Sequence, residues 1–303
     1  MMDHTHELGE FVFSYRYMYM QMNGLRIGTE KATSNEVLNL GYSATPTDMQ
    51  TQMHMLAAMF APIENFTLVA MLPFAVKSMD HATRSGPFTT ESSGVADLEV
   101  AGMWKLEPAD DQLVHLDLAL SFPNGSTEKT DGTPMGDDVC LPYPVQIGSG
   151  TFDLTPGLTC LGQASKFSWG LQGLTTFRLG ENDQGYRFGH RYMATTWGAY
   201  HTIDWLSGSL RLDWTKKENV EGADSELDPD VVPTADPDLQ GFNRWSAGFG
   251  INTYIREGSF RGLRINGDFV IPFDQDLNDP QLETDRYLIV GLQYSGQTGW
   301  LGG

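Results

Sequence analysis

The sequence predicts an all-β fold: a closed antiparallel transmembrane β-barrel of about 12 strands, with short periplasmic turns and long outer loops. Three observations support this prediction. Segments of alternating hydrophobicity recur throughout the 303 residues. The connections between these segments are alternately short and long, as in bacterial outer-membrane barrels. No run of 18 apolar residues occurs, which excludes a transmembrane helix but not a barrel, whose strands carry only alternating hydrophobicity.

The first predicted strand, within residues 10–23, shows the alternation most clearly. A strand directs successive side chains to opposite faces. We expect its aromatic face to meet lipid, because aromatic residues flank the apolar band of a membrane barrel. That face consists of Phe11, Phe13, Tyr15, Tyr17 and Tyr19. The opposite face, predicted to line the lumen, carries Arg16, Met18, Met20 and Met22.

The next three predicted strands lie within residues 49–59, 66–79 and 95–106. We assign the more polar face of each strand to the lumen, because polar side chains are unfavourable in lipid. In the strand at 49–59, this assignment places Met53, Met55 and Met59 against lipid. The lumen residues predicted from these strands are Gln50, Gln52, His54, Met71, Lys77, Asp97 and Glu99.

The later segments repeat the pattern up to the twelfth strand at 285–294. The eighth segment, at 186–200, is less regular, and the direction of its side chains stays open. On the other strands, charged residues share one face while leucine, isoleucine and aromatic residues occupy the other. The predicted lumen residues are His115, Asp117, Asp153, Arg178, Arg211, Asp213, Arg244, Arg264 and Asp268.

The order of the connections predicts how the barrel sits in the membrane. An even number of strands with short periplasmic turns places both chain ends in the periplasm. A closed wall also pairs every backbone group within lipid. We divide the chain into a His/Met-rich amino segment at 1–8, a barrel at 9–294 and a tail at 295–303. The start, MMDHTHELGE, is not a signal peptide, so we expect a chain whose export signal has been removed and which resides in the outer membrane of a Gram-negative bacterium.

Charge and cysteine content restrict the function further. The formal net charge of −20 argues against nucleic acid as a partner, because a phosphate-binding surface needs a basic patch. Many acidic residues fall within 218–238, which is interpreted either as a solvated loop or as a loop that shares divalent cations with an anionic membrane surface. Cys140 and Cys160 do not form a disulfide framework, and we predict that both are free thiols.

Four segments carry a resemblance to a known family: HTHELGEFVFSYRYMYMQMNG from His4, GSGTFDLTPGLTCLG at 148–162, LGENDQGYRFGHRY at 179–192 and VPTADPDLQG at 232–241. With these segments, residues 4–294 resemble the bacterial outer-membrane transporter family named for the meta-cleavage pathway of phenol degradation, in a branch with a His/Met-rich start. The resemblance implies an outer-membrane barrel with a transport role. It implies no catalytic residue set.

Methionine and histidine are concentrated in the first quarter of the chain. Eleven of the 14 methionines lie within residues 1–79. Thioether and imidazole groups suit copper, so the sequence predicts a candidate metal site formed by His4, His6, Met18, Met20 and Met22. The alternative is structural, because methionine is an adaptable apolar filler.

The predicted lumen supports a channel or transporter for a small solute, with copper or another soft metal ion as a candidate cargo and no required cofactor. Twelve strands give an interior between the filled barrels of about eight strands and the open porins of about 16. The lumen charges either pair across the interior and hold it shut or line a polar pore.

The alternatives to a channel are a docking protein and an enzyme. A plugged barrel could instead be a structural protein in outer-membrane lipid that docks a periplasmic protein. We do not expect an enzyme, because no serine joins His115 and Asp117 in a nucleophile–base set, and no phosphate loop or HExxH segment occurs.

Overall fold

The computed structural model describes residues 8–109, 112–258 and 260–297. The elements in chain order are β1 (Glu10–Gly28), β2 (Glu30–Ala32), α1 (Ser34–Asn39), β3 (Ala44–Ile63), β4 (Phe66–Thr83), β5 (Gly86–Val95), β6 (Leu98–Ala109), β7 (Gln112–Phe122), β8 (Thr130–Thr133), β9 (Gly136–Cys140), β10 (Phe152–Ala164), β11 (Phe167–Leu179), β12 (Tyr186–Arg187), β13 (Arg191–Ile203), β14 (Leu206–Lys217), β15 (Glu221–Gly222), β16 (Phe242–Tyr254) and β17 (Leu263–Gln297). One antiparallel sheet closes on itself, because β1 pairs with β3 on one side and with β17 on the other. The predicted closed antiparallel barrel is therefore confirmed.

The last strand, β17, supplies two parts of the wall. Residues 263–277 pair with β16 and residues 277–297 pair with β1. Between these limbs the chain bends at Asp279, whose φ of 59° lies in the left-handed region. The limbs lie side by side, since the Gln275 amide exchanges hydrogen bonds of 2.9 Å with the backbone of Thr284. Within the described residues, eleven continuous strands thus give twelve wall segments, in agreement with the predicted number.

The connections differ in length at the two ends of the barrel. At one end the strands are joined by tight turns, such as 64–65 between β3 and β4 and 165–166 between β10 and β11. At the other end, long segments carry β2, β5, the β8–β9 hairpin, the β12–β15 pair and helix α1. Helix α1 begins at a capping box in which Thr33 and Glu36 bond each other's backbone N–H. By the rule for bacterial outer-membrane barrels, the tight-turn end faces the periplasm.

The outer surface of the barrel is apolar. Large side chains such as Phe13 (60% exposed), Leu118 (54%) and Leu210 (63%) point away from the lumen. Transfer of each such side chain from water into lipid contributes roughly 1.5–3 kcal/mol. Among the described residues, no helix is long and apolar enough to cross a bilayer. The apolar belt is the surface that a membrane-spanning barrel presents to lipid.

The side-chain directions of β3 correct one sequence assignment. His54 and Gln52 lie on the outer face, where the Tyr15 hydroxyl is 2.8 Å from His54 Nδ1 and the Tyr17 hydroxyl donates to Gln52 Oε1 at 3.1 Å. Gln50 has the same parity and is exposed. The assignment of Gln50, Gln52 and His54 to the lumen was wrong, because tyrosine hydroxyls on the neighbouring strand satisfy polar groups that were expected to need water.

The assignment of the β3 methionines to lipid was also wrong, because the odd-numbered residues of β3 point inward. Met59 is 2% exposed and packs in an inward-facing cluster with Val12, Val69, Ala101, Met103 and Ala119. Met53 and Met55 lie on this inner face too, because they are separated from Met59 by even numbers of residues along the strand. Methionine is apolar enough for lipid and for a protein interior alike, so its position in the sequence did not decide the direction.

The long-loop end of the interior is filled by residues 141–151, which we name the inner loop. Leu141 and Val145 pack against Met49, Met79 and Leu282, which project inward from the wall. Lys77 Nζ donates to the carbonyl oxygens of Pro144 at 2.9 Å and Gln146 at 2.5 Å. The loop is thus bound to the inner wall by apolar packing and by a half-buried cation, and it occupies the outer part of the lumen.

A carboxylate anchors the other end of the inner loop. Asp97 accepts hydrogen bonds from the backbone N–H of Gly125 (2.8 Å) and of Ser149 (2.8 Å), and from the Ser149 hydroxyl (2.7 Å). Gly125 and Gly148 touch so closely that a Cβ on Gly148 would lie 2.2 Å from the Gly125 carbonyl oxygen. A larger residue at either position would separate these two segments and loosen the loop.

Candidate functional site

The interior holds a large cavity on the side away from the apolar cluster of Val12 and Met59. Its volume is about 2270 Å³, and it lies mainly against β11, β13, β14, β16, β17 and β1. It reaches the tight-turn end, where it is lined by Asn65, Ser165 and Trp205. Its other end lies at Arg191, Phe242 and Arg244, near the long-loop end of the wall. The cavity is therefore a long space inside the barrel with its mouth on the periplasmic side.

Arginine residues dominate the charged lining of this cavity. Arg16, Arg191, Arg244 and Arg264 line it, and within the described part of the chain none of them makes an ion pair. Arg244 donates to the Thr284 hydroxyl at 2.6 Å and its guanidinium lies 4.6 Å from the ring centre of Phe242. Although the chain has a net charge of −20, its cavity is therefore lined by four arginines outside any ion pair of the described residues.

Some lining charges are paired. Arg211 Nε lies 2.9 Å from Asp213 Oδ2, and Thr195 donates to the other oxygen of the same carboxylate at 2.5 Å. Asp268 also lines the cavity and accepts a bond of 3.4 Å from Asn266. At the tight turns, Asp204 pairs with Arg256 at 3.0 Å. The acidic side chains therefore neutralise only part of the positive lining.

Several predicted lumen residues lie on the inner face but outside this cavity. Asp153 is buried, forms an ion pair with Arg178 and accepts a hydrogen bond of 2.7 Å from Thr151. Asp97 and Lys77 hold the inner loop, as described above. Met22 packs against the cluster that contains Met49 and Met79. Met71 and Glu99 have inward parity and are cross-strand neighbours. These residues shape the interior rather than line its open part.

His115 and Asp117 form a buried polar network on the inner face. His115 Nδ1 lies 2.7 Å from Asp117 Oδ1, and the other carboxylate oxygen accepts a bond of 2.9 Å from Thr159. Gln172 donates to the Thr159 hydroxyl at 2.8 Å. The network uses threonine and glutamine where an acyl-transfer triad would need an activated serine or cysteine. That the protein is not an enzyme stays a prediction.

The eighth predicted strand supplied the lumen residues that the sequence pattern missed. The chain pairs briefly at β12 and resumes as β13 at Arg191, so the alternation is interrupted. In β13 the odd-numbered residues point inward, since Thr195 bonds inward-facing Asp213. Trp197, Met193 and Arg191 therefore line the cavity. The Trp197 ring lies over Gly170, where an added Cβ would be 2.1 Å from the ring. The pairing of Gly170 with Trp197 was the feature of the sequence that could have indicated that Trp197 points inward.

The methionines predicted as metal ligands are partly brought together. Met18 and Met20 line the cavity, and Met18 is the direct cross-strand neighbour of Met53. Histidines 4 and 6 lie outside the described residues. Within the described ranges, no group of three or more histidine, cysteine, aspartate or glutamate side chains is arranged to hold a metal ion. Metal binding stays a prediction that concerns thioethers alone in this part of the chain.

The acidic loop bonds to its own backbone, and both cysteines are free. In the loop, Asp224, Asp228 and Asp236 each accept a hydrogen bond from the backbone N–H two residues later. The carboxylates thus stabilise the turns of the loop itself. Both cysteines are free thiols, as predicted. Burial, together with the nearby charges of Asp224 and Glu226, raises the pKa of the Cys140 thiol to about 11.

Comparison with known proteins supports the fold. No protein-family model matches this chain, and no curated protein matches its sequence. The COG4313 outer membrane channel from Pseudomonas putida F1 is similar in structure, with a TM-score of 0.68, 12% sequence identity, and coverage of 97% of this chain and 98% of that chain. A KdgM porin (TM-score 0.44, 10% identity, covering 94% and 99%) and the translocator domain of the autotransporter NalP from Neisseria meningitidis (0.49, 11%, 97% and 90%) are more distant.

The closed wall, the apolar belt and the alternation of tight turns with long loops define the class: this chain is a bacterial outer-membrane β-barrel. Membership of the transporter family named for phenol degradation stays a prediction.

Proposed function

We propose that this barrel is a gated outer-membrane channel for small anionic solutes. The observation that carries the proposal is the cavity lined by Arg16, Arg191, Arg244 and Arg264 without ion-pair partners in the described chain. An uncompensated guanidinium in a narrow space attracts anions and repels cations, because the low-dielectric wall focuses its field. These four arginines outnumber the two lining carboxylates that make no ion pair in the described chain, Glu64 and Asp268, and this excess favours anion entry.

Selectivity follows from the order of these groups along the cavity. Arg264, on the first limb of β17, is the cross-strand neighbour of Tyr254, near the tight turns. Arg211 lies farther along the wall, and Arg191 and Arg244 lie at the far end. An anion moving along this wall exchanges water for N–H donors at successive positions, and charge-assisted bonds of this kind offset the lost hydration.

Passage across the whole barrel requires movement of the inner loop. The Lys77 contacts and the packing of Leu141 and Val145 hold that loop in the outer part of the lumen. The described arrangement therefore corresponds to a closed channel, and a conducting channel needs the loop to be displaced. A movable inner loop accounts for a lumen that is wide on the periplasmic side and filled at its outer end.

Ion selectivity in planar bilayers tests the proposal. Under a KCl gradient, the wild-type protein should give a reversal potential with the sign of an anion-selective pore. Replacing both Arg191 and Arg244 by glutamine should move that potential toward zero. Arg256→Gln is the matched control, since Arg256 is exposed at a tight turn and pairs with Asp204. A cation-selective wild-type pore would overturn the proposal.

The same recordings distinguish a channel from the alternative, a docking protein. A purified, folded barrel that never conducts, even at high voltage, would favour a plugged barrel that binds a periplasmic protein. No described feature identifies such a partner, so that alternative stays a prediction.

A second candidate function is passage of copper or another soft metal ion. It is supported by the direct opposition of Met18 and Met53 on the inner face, with Met20 and Met55 two residues away along their strands. Cross-strand neighbours have Cβ atoms about 5 Å apart, within reach of a shared soft ion. Titration with Ag(I), a redox-stable substitute for Cu(I), should show binding that Met18→Leu together with Met53→Leu abolishes. Binding no tighter than that of the double variant would remove the candidate.

A further inference from the structure

Two cations are cross-strand partners beside the far end of the cavity. Arg191 and Lys217 are direct cross-strand partners on β13 and β14. Both have inward parity; Arg191 lines the cavity, whereas Lys217 lies just beyond its lining residues. Like charges placed directly opposite each other destabilise a sheet. Neither side chain makes an ion pair within the described ranges, and the carboxylates that interact with Arg191 at longer range are Glu99 and Asp153.

Further cations border the same place. Lys217 Nζ lies 5.0 Å from the ring centre of Phe188, and the Arg178 guanidinium lies 5.8 Å from the same ring. Asp153 forms its ion pair with Arg178, so its charge is shared between Arg178 and the more distant Arg191. The cross-strand partner of Arg244 is Thr215, two residues before Lys217, which places Arg244 diagonally across from Lys217. The cations Arg178, Arg191, Lys217 and Arg244 thus outnumber the two carboxylates near them, Glu99 and Asp153.

The geometry points to a binding site for a polyvalent oxyanion, such as a phosphate or a polycarboxylate, held by Arg191, Lys217 and Arg244 at the closed end of the cavity. A guanidinium offers paired N–H donors to carboxylate or phosphate oxygens, and an ammonium adds a point charge. An anion with two or three charges therefore relieves more of the repulsion among these three groups than an anion with one charge.

This inference rests on the proposed function and refines it, because it names the class of anion and where it stops. The site lies at the end of the cavity nearest the inner loop. A bound anion there would occupy the last position before the outer part of the lumen.

Equilibrium binding to the purified, detergent-solubilised full chain tests the site. The probes are citrate and inorganic phosphate, with acetate and chloride as monovalent comparisons, titrated calorimetrically at fixed ionic strength. Citrate and phosphate should bind, with citrate tighter, and acetate should bind at least about tenfold more weakly than either. Lys217→Gln and Arg191→Gln should each weaken citrate binding at least about tenfold, the usual effect of losing one charge-assisted bond.

Lys216→Gln is the matched control, because Lys216 is adjacent in β14 but has outward parity and is exposed. It should leave citrate binding unchanged. Where Lys217→Gln fails to fold, Lys217→Arg keeps the charge and should retain binding. In addition, citrate binding to the wild-type protein should weaken steeply as KCl is raised.

The inference is overturned if neither citrate nor phosphate binds tighter than acetate, or if Lys217→Gln and Lys216→Gln bind the tighter of these two anions equally well. Its failure is distinguishable from failure of the proposed function. An anion-selective channel without preferential citrate binding would retain the function and remove the site, whereas citrate binding in a barrel without anion selectivity would retain the site and remove the function. Phosphate binding without citrate binding would identify the ligand as a compact phosphate and exclude polycarboxylates.

Discussion

At the residue scale, polar groups on both faces of the wall are satisfied by neighbours on the adjacent strand. His54 and Tyr15 lie on the outer face, where a tyrosine hydroxyl takes the place of water. On the inner face, the Thr159 hydroxyl donates a hydrogen bond to Asp117 on the adjacent strand. Polarity alone therefore does not reveal which face of a strand meets lipid. What decides is whether a partner lies directly across the strand pair.

Substitution of His54 by leucine tests this orientation. Because His54 points away from the lumen, His54→Leu should leave the reversal potential in a KCl gradient unchanged. It should alter stability by less than about 1 kcal/mol, as is typical of side-chain hydrogen bonds within membranes. Arg191→Gln is the positive control for the electrical measurement. A shift in reversal potential equal to that of Arg191→Gln would mean that His54 faces the lumen.

The Cys140 thiol should react slowly at neutral pH. Its pKa is raised to about 11 by burial and by nearby acidic side chains, so the reactive thiolate is scarce below that value. The rate of alkylation by iodoacetamide should rise roughly tenfold per pH unit between pH 7 and 10 and level off only near the pKa. Mass spectrometry of the Cys140 peptide follows the rate. In urea-unfolded protein the rate should level off near pH 8.5, the ordinary thiol value.

At the scale of single elements, β11 and β13 depend on a glycine opposite a large ring. A Cβ at Gly170 would lie 2.1 Å from the Trp197 ring, whereas one at Gly173 would meet nothing within 4 Å. Gly170→Ala should therefore destabilise the barrel by about 1–3 kcal/mol, the usual effect of overpacking. Gly173→Ala is the matched control and should be close to neutral. Urea unfolding followed by tryptophan fluorescence measures both, and equal stability of the two variants would contradict the ring contact.

The inner loop should open more readily when its cation is removed. Lys77→Met keeps an apolar stem but loses the bonds to the Pro144 and Gln146 carbonyls. Loss of hydrogen bonds to a charged group shifts the equilibrium between closed and open states at least about tenfold. Single-channel recordings should show a higher open fraction than in the wild-type protein. Lys166→Met, at an exposed tight turn, should behave like wild type. An unchanged open fraction in Lys77→Met would show that the loop is not the gate.

At the scale of the whole molecule, the fold was largely predictable and the interior was not. Apolar and polar side chains alternate along nearly every wall segment. This pattern predicted a barrel, because strands with one apolar and one polar face need lipid on one side and water on the other. Arg211, Asp213 and Arg264 were correctly placed inward because their strands alternate regularly. Arg191 and Trp197 were missed because the chain is interrupted before β13.

The position of the inner loop could not be predicted from the sequence pattern either. Its glycines and prolines indicate a loop, and they carry no information about whether that loop folds outward or into the lumen. The spacing of Leu141, Tyr143, Val145 and Ile147 was the sole local sign of burial. The position of the loop depends on contacts with Lys77 and Asp97, which are distant in sequence.

The pairing of β1 with the second limb of β17 has a consequence for biogenesis. Phe13 meets Tyr294 and Tyr19 meets Leu288 across this junction, so the earliest and latest parts of the wall complete one another. Contacts between such remote positions form slowly, because the intervening chain must be ordered first. Until then both borders carry unpaired backbone groups, which lipid does not tolerate. A nascent chain that stops short of β17 would therefore remain an open sheet, prone to aggregation, and its delivery to the membrane would depend on factors that shield those borders.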